Sequence, residues 1–243
     1  MLFRSYVPPD LTPPSPDPML WAVAPHALSP GAIGMTAATA ADASGPVAYR
    51  FECLDSTTGG AGGAGTDWQD SPVHANAGLE TNHRYGYQVS ARDAVGNETA
   101  PSSPVRHAYT AVDPPTGIAF DAVTPTAVEV RATAPPPGLN RGNSGLWIED
   151  MQTGTNSGWQ QHDAPWVCPT LPNSPHAYRA KARNGDGVET SFSPVAAIRT
   201  PAQAPAPQAF TGVGNAAITA NWDANGNPPG TEYRCENTTA GTS

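Results

Sequence analysis

Between Leu79 and Glu98 apolar and polar positions alternate. Tyr85, Tyr87, Val89 and Ala91 interleave with Gly86, Gln88, Ser90 and Arg92. A period of two puts one set of side chains in a core and the other in water, the pattern of a half-buried strand. Asp93 to Gly96-Asn97 is a run of turn residues, and Thr99 to Val105 is predicted as the next strand. The stretch returns from Leu171 to Glu189, with Tyr178, Ala180 and Ala182 in the alternating places. Trp68-Gln69 and Trp159-Gln160 stand 91 residues apart, as do Ala91-Arg92 and Ala182-Arg183. Solenoid units repeat every 20–50 residues or so, and a longer period corresponds to a small domain. The chain therefore reads as a tandem of β-sandwich domains.

The repeat sets the expected boundaries. Residues 1–18 are read as the last strand of a preceding domain, Met1 to Val7, followed by a Pro-rich linker. Residues 19–112 and 113–201 form two whole domains, and residues 202–243 open a third that is partial. Strands are predicted in the first domain at Leu20–Ala24, Ala32–Ala40, Val47–Cys53, Trp68–Val73 and from Leu79. In the second they fall at Gly117–Phe120, Ala127–Ala132 and Leu146–Ile148, and in the third at Pro207–Phe210 and Ala217–Trp222. The stretch Thr57 to Gly65 is too rich in glycine to order itself. It is also unsuited to cradling phosphate, because no lysine and no helix start follow it.

Several of these motifs carry a resemblance. They are Trp222 in a second strand, Tyr49-x-Phe51 and Tyr233-x-Cys235 in third strands, Leu79-x5-Tyr85, and Ala91-Arg-Asp-x-x-Gly-Asn97. To these add Ala40-Ala-Asp-Ala-Ser-Gly45 and Trp68-Gln-Asp-Ser-Pro72. Together they resemble bacterial extracellular fibronectin type III-like (Ig-like β-sandwich) tandem repeats. The resemblance implies an all-β fold of such domains joined by Pro-rich linkers, outside the cell or at its surface. Two departures stand out. His176 or Ala177 occupies the place of Tyr85, which puts a tyrosine corner in the second domain in doubt. The opening strands of the first domain carry no tryptophan to match Trp222. Sandwiches of this kind host many roles, so the fold alone does not assign one.

Composition narrows the function. Among 243 residues are 24 Gly and 28 Pro, and the net charge is −9. Frequent proline opposes long helices. An acidic chain without basic clusters would be repelled by a phosphate backbone, which excludes nucleic acid. No apolar run approaches the ~20 residues that span a bilayer, and residues 1–18 lack the pattern of a signal peptide. Neither whole domain holds two of the cysteines Cys53, Cys168 and Cys235. Disulfides within those domains are thereby excluded. That leaves small buried thiols or pairing between domains or subunits.

No nucleophile–histidine arrangement, zinc spacing or nucleotide motif emerges. The six histidines, His26, His74, His83, His107, His162 and His176, are scattered and read as surface or turn residues. Asp93 to Glu98 and Asn184 to Glu189 offer oxygen ligands loosely suited to Ca²⁺, although the same residues suit an ordinary hairpin turn. Trp68, Trp159 and Trp166 are candidates for stacking on sugars, set against core or edge packing. Asn97-Glu-Thr99 and Asn237-Thr-Thr239 are glycosylation sequons. The expectation is a non-enzymatic extracellular structural protein without a resident cofactor, a fibre or filament subunit or a spacer that associates with itself. The alternative is a carbohydrate-binding or adhesive appendage of a secreted hydrolase. In the fibre version, residues 1–7 of one subunit complete the third domain of another by strand addition.

Overall fold

The computed structural model describes residues 8–56 and 65–238. Among the described residues it has fourteen strands. Strands β1 (Trp21–Ser29), β2 (Ala32–Ala37) and β4 (Val73–Ala77) form one sheet in the order β1-β2-β4. Strands β3 (Ala48–Ser56), β5 (Arg84–Arg92) and β6 (Arg106–Tyr109) form the facing one in the order β3-β5-β6. The next six strands repeat that scheme. They are β7 (Gly117–Val123), β8 (Ala127–Thr133) and β10 (Trp166–Pro169) in one sheet, and β9 (Gly145–Asp150), β11 (Pro175–Arg183) and β12 (Ala196–Arg199) in the other. Strands β13 (Ala206–Thr211) and β14 (Thr219–Asp223) make a two-stranded sheet. The fold is thus all-β, two sandwiches of the same strand order followed by a two-stranded sheet. Among the described residues no helix is long and apolar enough to cross a membrane.

The alternation read from Tyr85 to Ala91 is the reason this core forms. Tyr85, Tyr87, Val89 and Ala91 are fully buried and meet Phe51, Ile33, Met35 and Met19 in one cluster. Burying a side chain of this size stabilises by about 1.5–3 kcal/mol, so one face of β5 is enough to fix its register. Trp21, on β1, tilts onto Phe51 with ring centres 6.0 Å apart, in the domain whose opening strands have no match for Trp222.

Two predicted strands differ. Residues 99–105 do not pair as a ladder, and β6 starts at Arg106. Pro101 and Pro104 lack the N–H groups a ladder needs. The segment instead supplies isolated partners to β5. Thr99 N–H bonds the Ala91 carbonyl at 2.9 Å and Ser102 N–H the Val89 carbonyl at 2.9 Å. The Thr99 and Ser102 hydroxyls accept the Ala91 and Val89 N–H groups at 2.9 and 3.1 Å. Thr190 and Ser193 repeat the device on Ala182 and Ala180. Trp68–Val73 likewise gives one bridge, Tyr49 to Gln69, before the turn at Pro72, and the strand proper is β4. Residues 1–7 and 57–64, read as a strand and a glycine-rich loop, lie outside the described residues.

The contacts divide the chain into two compact units. The first holds residues 1–113 together with the loops 136–145 and 182–190. The second holds residues 114–135, 146–181 and 191–243. In the second unit Val128, Val130, Leu146, Ile148, Tyr178 and Ala180 are buried. By contrast Phe210, Val213, Ile218 and Trp222, on and beside β13 and β14, are 62%, 71%, 57% and 41% exposed.

Candidate functional site

A buried carboxylate and a buried imidazole meet at the corner leading into β11. Strand β9 turns Leu146, Ile148 and Asp150 inward by its period of two, and Asp150 has no exposed surface. A buried carboxylate is costly unless every oxygen finds a donor. Asp150 accepts the Gln152 N–H at 2.9 Å, the Thr153 hydroxyl at 2.9 Å and His176 Nδ1 at 2.7 Å. Burial alone would raise its carboxyl. The bonds from His176, Gln152 and Thr153 outweigh that and hold it below the usual carboxylate range.

On the far side of the imidazole, His176 Nε2 lies 2.9 Å from Ser174 Oγ. Serine, histidine and aspartate therefore stand in the order of a catalytic relay, which the sequence reading did not anticipate. The signal was available: an aspartate in the inward register of β9, and a histidine in the inward register of β11, its neighbour in the sheet.

The relay is closed upon itself. The Ser174 hydroxyl donates to the Leu171 carbonyl at 2.5 Å, so its proton is directed away from the base. An acyl-transfer site also needs donors for the developing oxyanion. The nearby N–H groups are spent on the fold: Ser174 on Thr200 Oγ1, Asn173 on the Pro201 carbonyl, Thr170 on the Thr126 carbonyl. The imidazole side chain is 3% exposed. The arrangement ties a corner together and leaves no nucleophile free.

The same place in the first repeat is a tyrosine corner. Tyr85 is fully buried and its hydroxyl accepts the Glu80 N–H at 3.0 Å. Two residues earlier His83 is 1% exposed, with Nδ1 3.0 Å from Arg141 Nη1. A guanidinium only donates, so toward Arg141 Nδ1 is the acceptor, while Glu80 Oε2 lies 3.2 Å from the same nitrogen. Burial first, then the Arg141 cation, hold His83 below the usual histidine range against the pull of Glu80.

The three tryptophans singled out from the sequence are engaged from within the chain. Trp68 lies under the guanidinium groups of Arg50 and Arg92, 5.0 and 4.5 Å from its ring centre. Trp159 packs on Trp147 at 5.6 Å and 53°, with Lys181 Nζ 5.5 Å from its ring. Trp166 meets Tyr178 edge-on at 6.3 Å. Such cation–aromatic contacts each contribute about 0.5–1 kcal/mol at exposed sites.

Asn97 of the first sequon is held by its side chain, which donates to the Asp93 carboxylate at 2.8 Å and the Asp10 carbonyl at 3.2 Å. Asn237 ends the described region together with Thr238, and Thr239 lies outside it.

Of the two turns considered for Ca²⁺, the first has Asp93 Oδ1 accepting from the N–H groups of Val95, Gly96 and Asn97. The second has Asn184 Oδ1 accepting from Asp186 and Val188. The oxygens thus serve the turns themselves. Carboxylate atoms of Asp10, Asp42 and Asp93 come within 4.8 Å of one another, a set of hard oxygen ligands drawn from three segments. The Thr12 hydroxyl is the main cause holding the Asp10 carboxyl down at about 2. Cys53, Cys168 and Cys235 form no disulfide; Cys168 is buried, Cys53 half-buried and Cys235 exposed.

Among solved structures the chain is similar to a two-domain fibronectin type III segment of chicken tenascin. The identity is 15%, the match covers 78% of this chain and 100% of that one, and the TM-score is 0.47. It is also similar to the FN1–FN3 domains of chicken CNTN1, at 14% identity over 87% of this chain and 76% of that one, with a TM-score of 0.33. No family model and no curated protein matches.

Proposed function

We propose that this chain is a non-catalytic structural segment of an extracellular repeat protein, a spacer or a fibre subunit. The observation behind this reading is the repeated inward face: Tyr87, Val89 and Ala91, then Tyr178, Ala180 and Ala182, all without exposed surface. Copied cores of this kind resist extension, while the one catalytic-looking group in the described chain is spent on holding a corner.

The fibre version draws support from the open β13–β14 sheet. Phe210, Ile218, Ala220 and Cys235 line a groove of about 540 Å³ there, and an exposed apolar face beside a free strand edge favours association. A carbohydrate-binding appendage would need flat, open rings, whereas Trp147 and Trp159 are inclined at 53°. Sedimentation over a wide concentration range, with electron microscopy of the concentrated sample, tests the reading. Assembly that grows with concentration and is lost in Phe210→Ser/Ile218→Ser supports the fibre subunit. A monomer at every concentration leaves only the spacer.

A further inference from the structure

Asn82 has no exposed surface and a left-handed backbone, φ 53°. Asparagine tolerates that conformation better than most residues. Its side chain is satisfied entirely by chain 55 to 103 positions further on. Nδ2 donates to the carbonyls of Pro137 at 3.1 Å and Gly138 at 2.9 Å, and to Ser144 Oγ at 3.0 Å. Oδ1 accepts the Gly185 N–H at 2.9 Å. The Ser144 hydroxyl makes a short contact with the Arg141 carbonyl, which takes its proton and leaves the oxygen free to accept from Asn82. The Asn82 carbonyl accepts from Arg141 Nη1 at 3.2 Å.

Neighbouring groups extend the cluster. Asp186 accepts the Tyr109 N–H at 2.7 Å, Asn184 donates to the Thr110 carbonyl at 3.2 Å, and Asn143 N–H bonds the Gly185 carbonyl at 2.8 Å. A β-carbon on Gly185 would run into the Tyr109 ring, and one on Gly142, at φ 51°, would stand 2.6 Å from the Gly185 oxygen. Every residue named belongs to the first compact unit.

We propose that Asn82 is the pin that makes the loops 136–145 and 182–190 one cooperative element with the first sandwich. One amide serves both loops at once: its nitrogen holds the first and its oxygen the second. Opening either loop strands a buried polar group and releases the other, which is the physical basis of a cooperative opening unit. The proposal concerns cooperativity and does not depend on the mechanical role above. The fold uses the position again. Asn173, 91 residues on in the sequence, also has a left-handed φ, 48°. Its side chain donates to Thr231 Oγ1 at 3.0 Å and accepts from Arg199 Nη1 at 3.4 Å, both inside the second unit, and reaches neither of the two loops.

Hydrogen–deuterium exchange of the whole chain tests this, comparing wild type with Asn82→Gly, which admits the left-handed backbone and removes the side chain. Exchange in 136–145 and 182–190 should accelerate together by about tenfold or more, while 85–91 and 146–150 keep their protection. Unchanged exchange in the loops, or acceleration in one alone, overturns the proposal. Should Asn82→Gly lose protection throughout, Ser144→Ala decides. Its removal of one hydroxyl should still speed both loops, and an effect confined to 136–145 overturns the pin. Asn173→Gly should leave both loops as they are, and acceleration there would equally count against Asn82 as their holder.

Discussion

Asn82 to Tyr85 and Asn173 to His176 are the same corner written twice. Both begin with a left-handed asparagine. Both close on a threonine. Thr110 Oγ1 donates to the Glu80 carbonyl and Thr200 Oγ1 to the Leu171 carbonyl, each at 2.6 Å, and each accepts the N–H of the residue after the asparagine at 3.0 Å. The copies then part. One buries a tyrosine whose hydroxyl takes a backbone donor; the other buries an imidazole, with Asp150 on the neighbouring strand of the same sheet to meet it. The backbone requirement of the corner is fixed, and the polar filling is interchangeable provided every buried atom is satisfied. What looks like catalytic chemistry in the second copy does the job of one hydroxyl in the first.

The comparison breaks most sharply at Asp150. Asp150→Ala leaves His176 buried without its partner and should destabilise the second sandwich by about 3–5 kcal/mol, read from denaturant unfolding. Tyr178→Ala, which empties a fully buried site, should cost a similar ~3–5 kcal/mol and calibrates the first value. If the fillings are interchangeable, Asp150→Cys combined with His176→Tyr should recover most of the loss. A double variant as unstable as the sum of the singles would show that each corner is tailored to its own sandwich.

Tyr85→Phe in the first copy removes one neutral hydrogen bond and should cost about 1 kcal/mol. An effect as large as that of Asp150→Ala would end the contrast between neutral and charged filling.

Acid separates the copies further. The folded carboxyl of Asp150 lies below its unfolded value, so its contribution is full above pH ~4 and disappears as pH falls through the folded value. Asp150→Asn should flatten that acid limb. His83 is also held low, so the neutral ring it provides supports the first unit above pH ~6.5 and is lost as pH falls towards the folded value. His83→Phe should remove that milder dependence, as seen in unfolding curves between pH 7 and 5. The smallest effect is expected at β13. Phe210→Ser, at an exposed position, should change unfolding by less than ~0.5 kcal/mol, whatever it does to association.

Much of this was legible in the order of residues. The period of two over Tyr85–Ala91, its return 91 residues later and the density of Gly and Pro suffice for paired sheets, because alternation dictates which face is buried whatever the strand packs against. Local chemistry also foretold the Asp93 and Asn184 turns, whose side chains cap their own backbone. Contacts far apart in the chain were beyond its reach. Nothing local joins Asp150 to His176 or Asn82 to Gly185, because those bonds arise only when strands distant in the chain pair or distant loops converge. Nor does alternation distinguish Phe210 and Ile218 from Phe51 and Ile33. A strand carries its apolar face by itself, but only the second layer decides whether that face is covered.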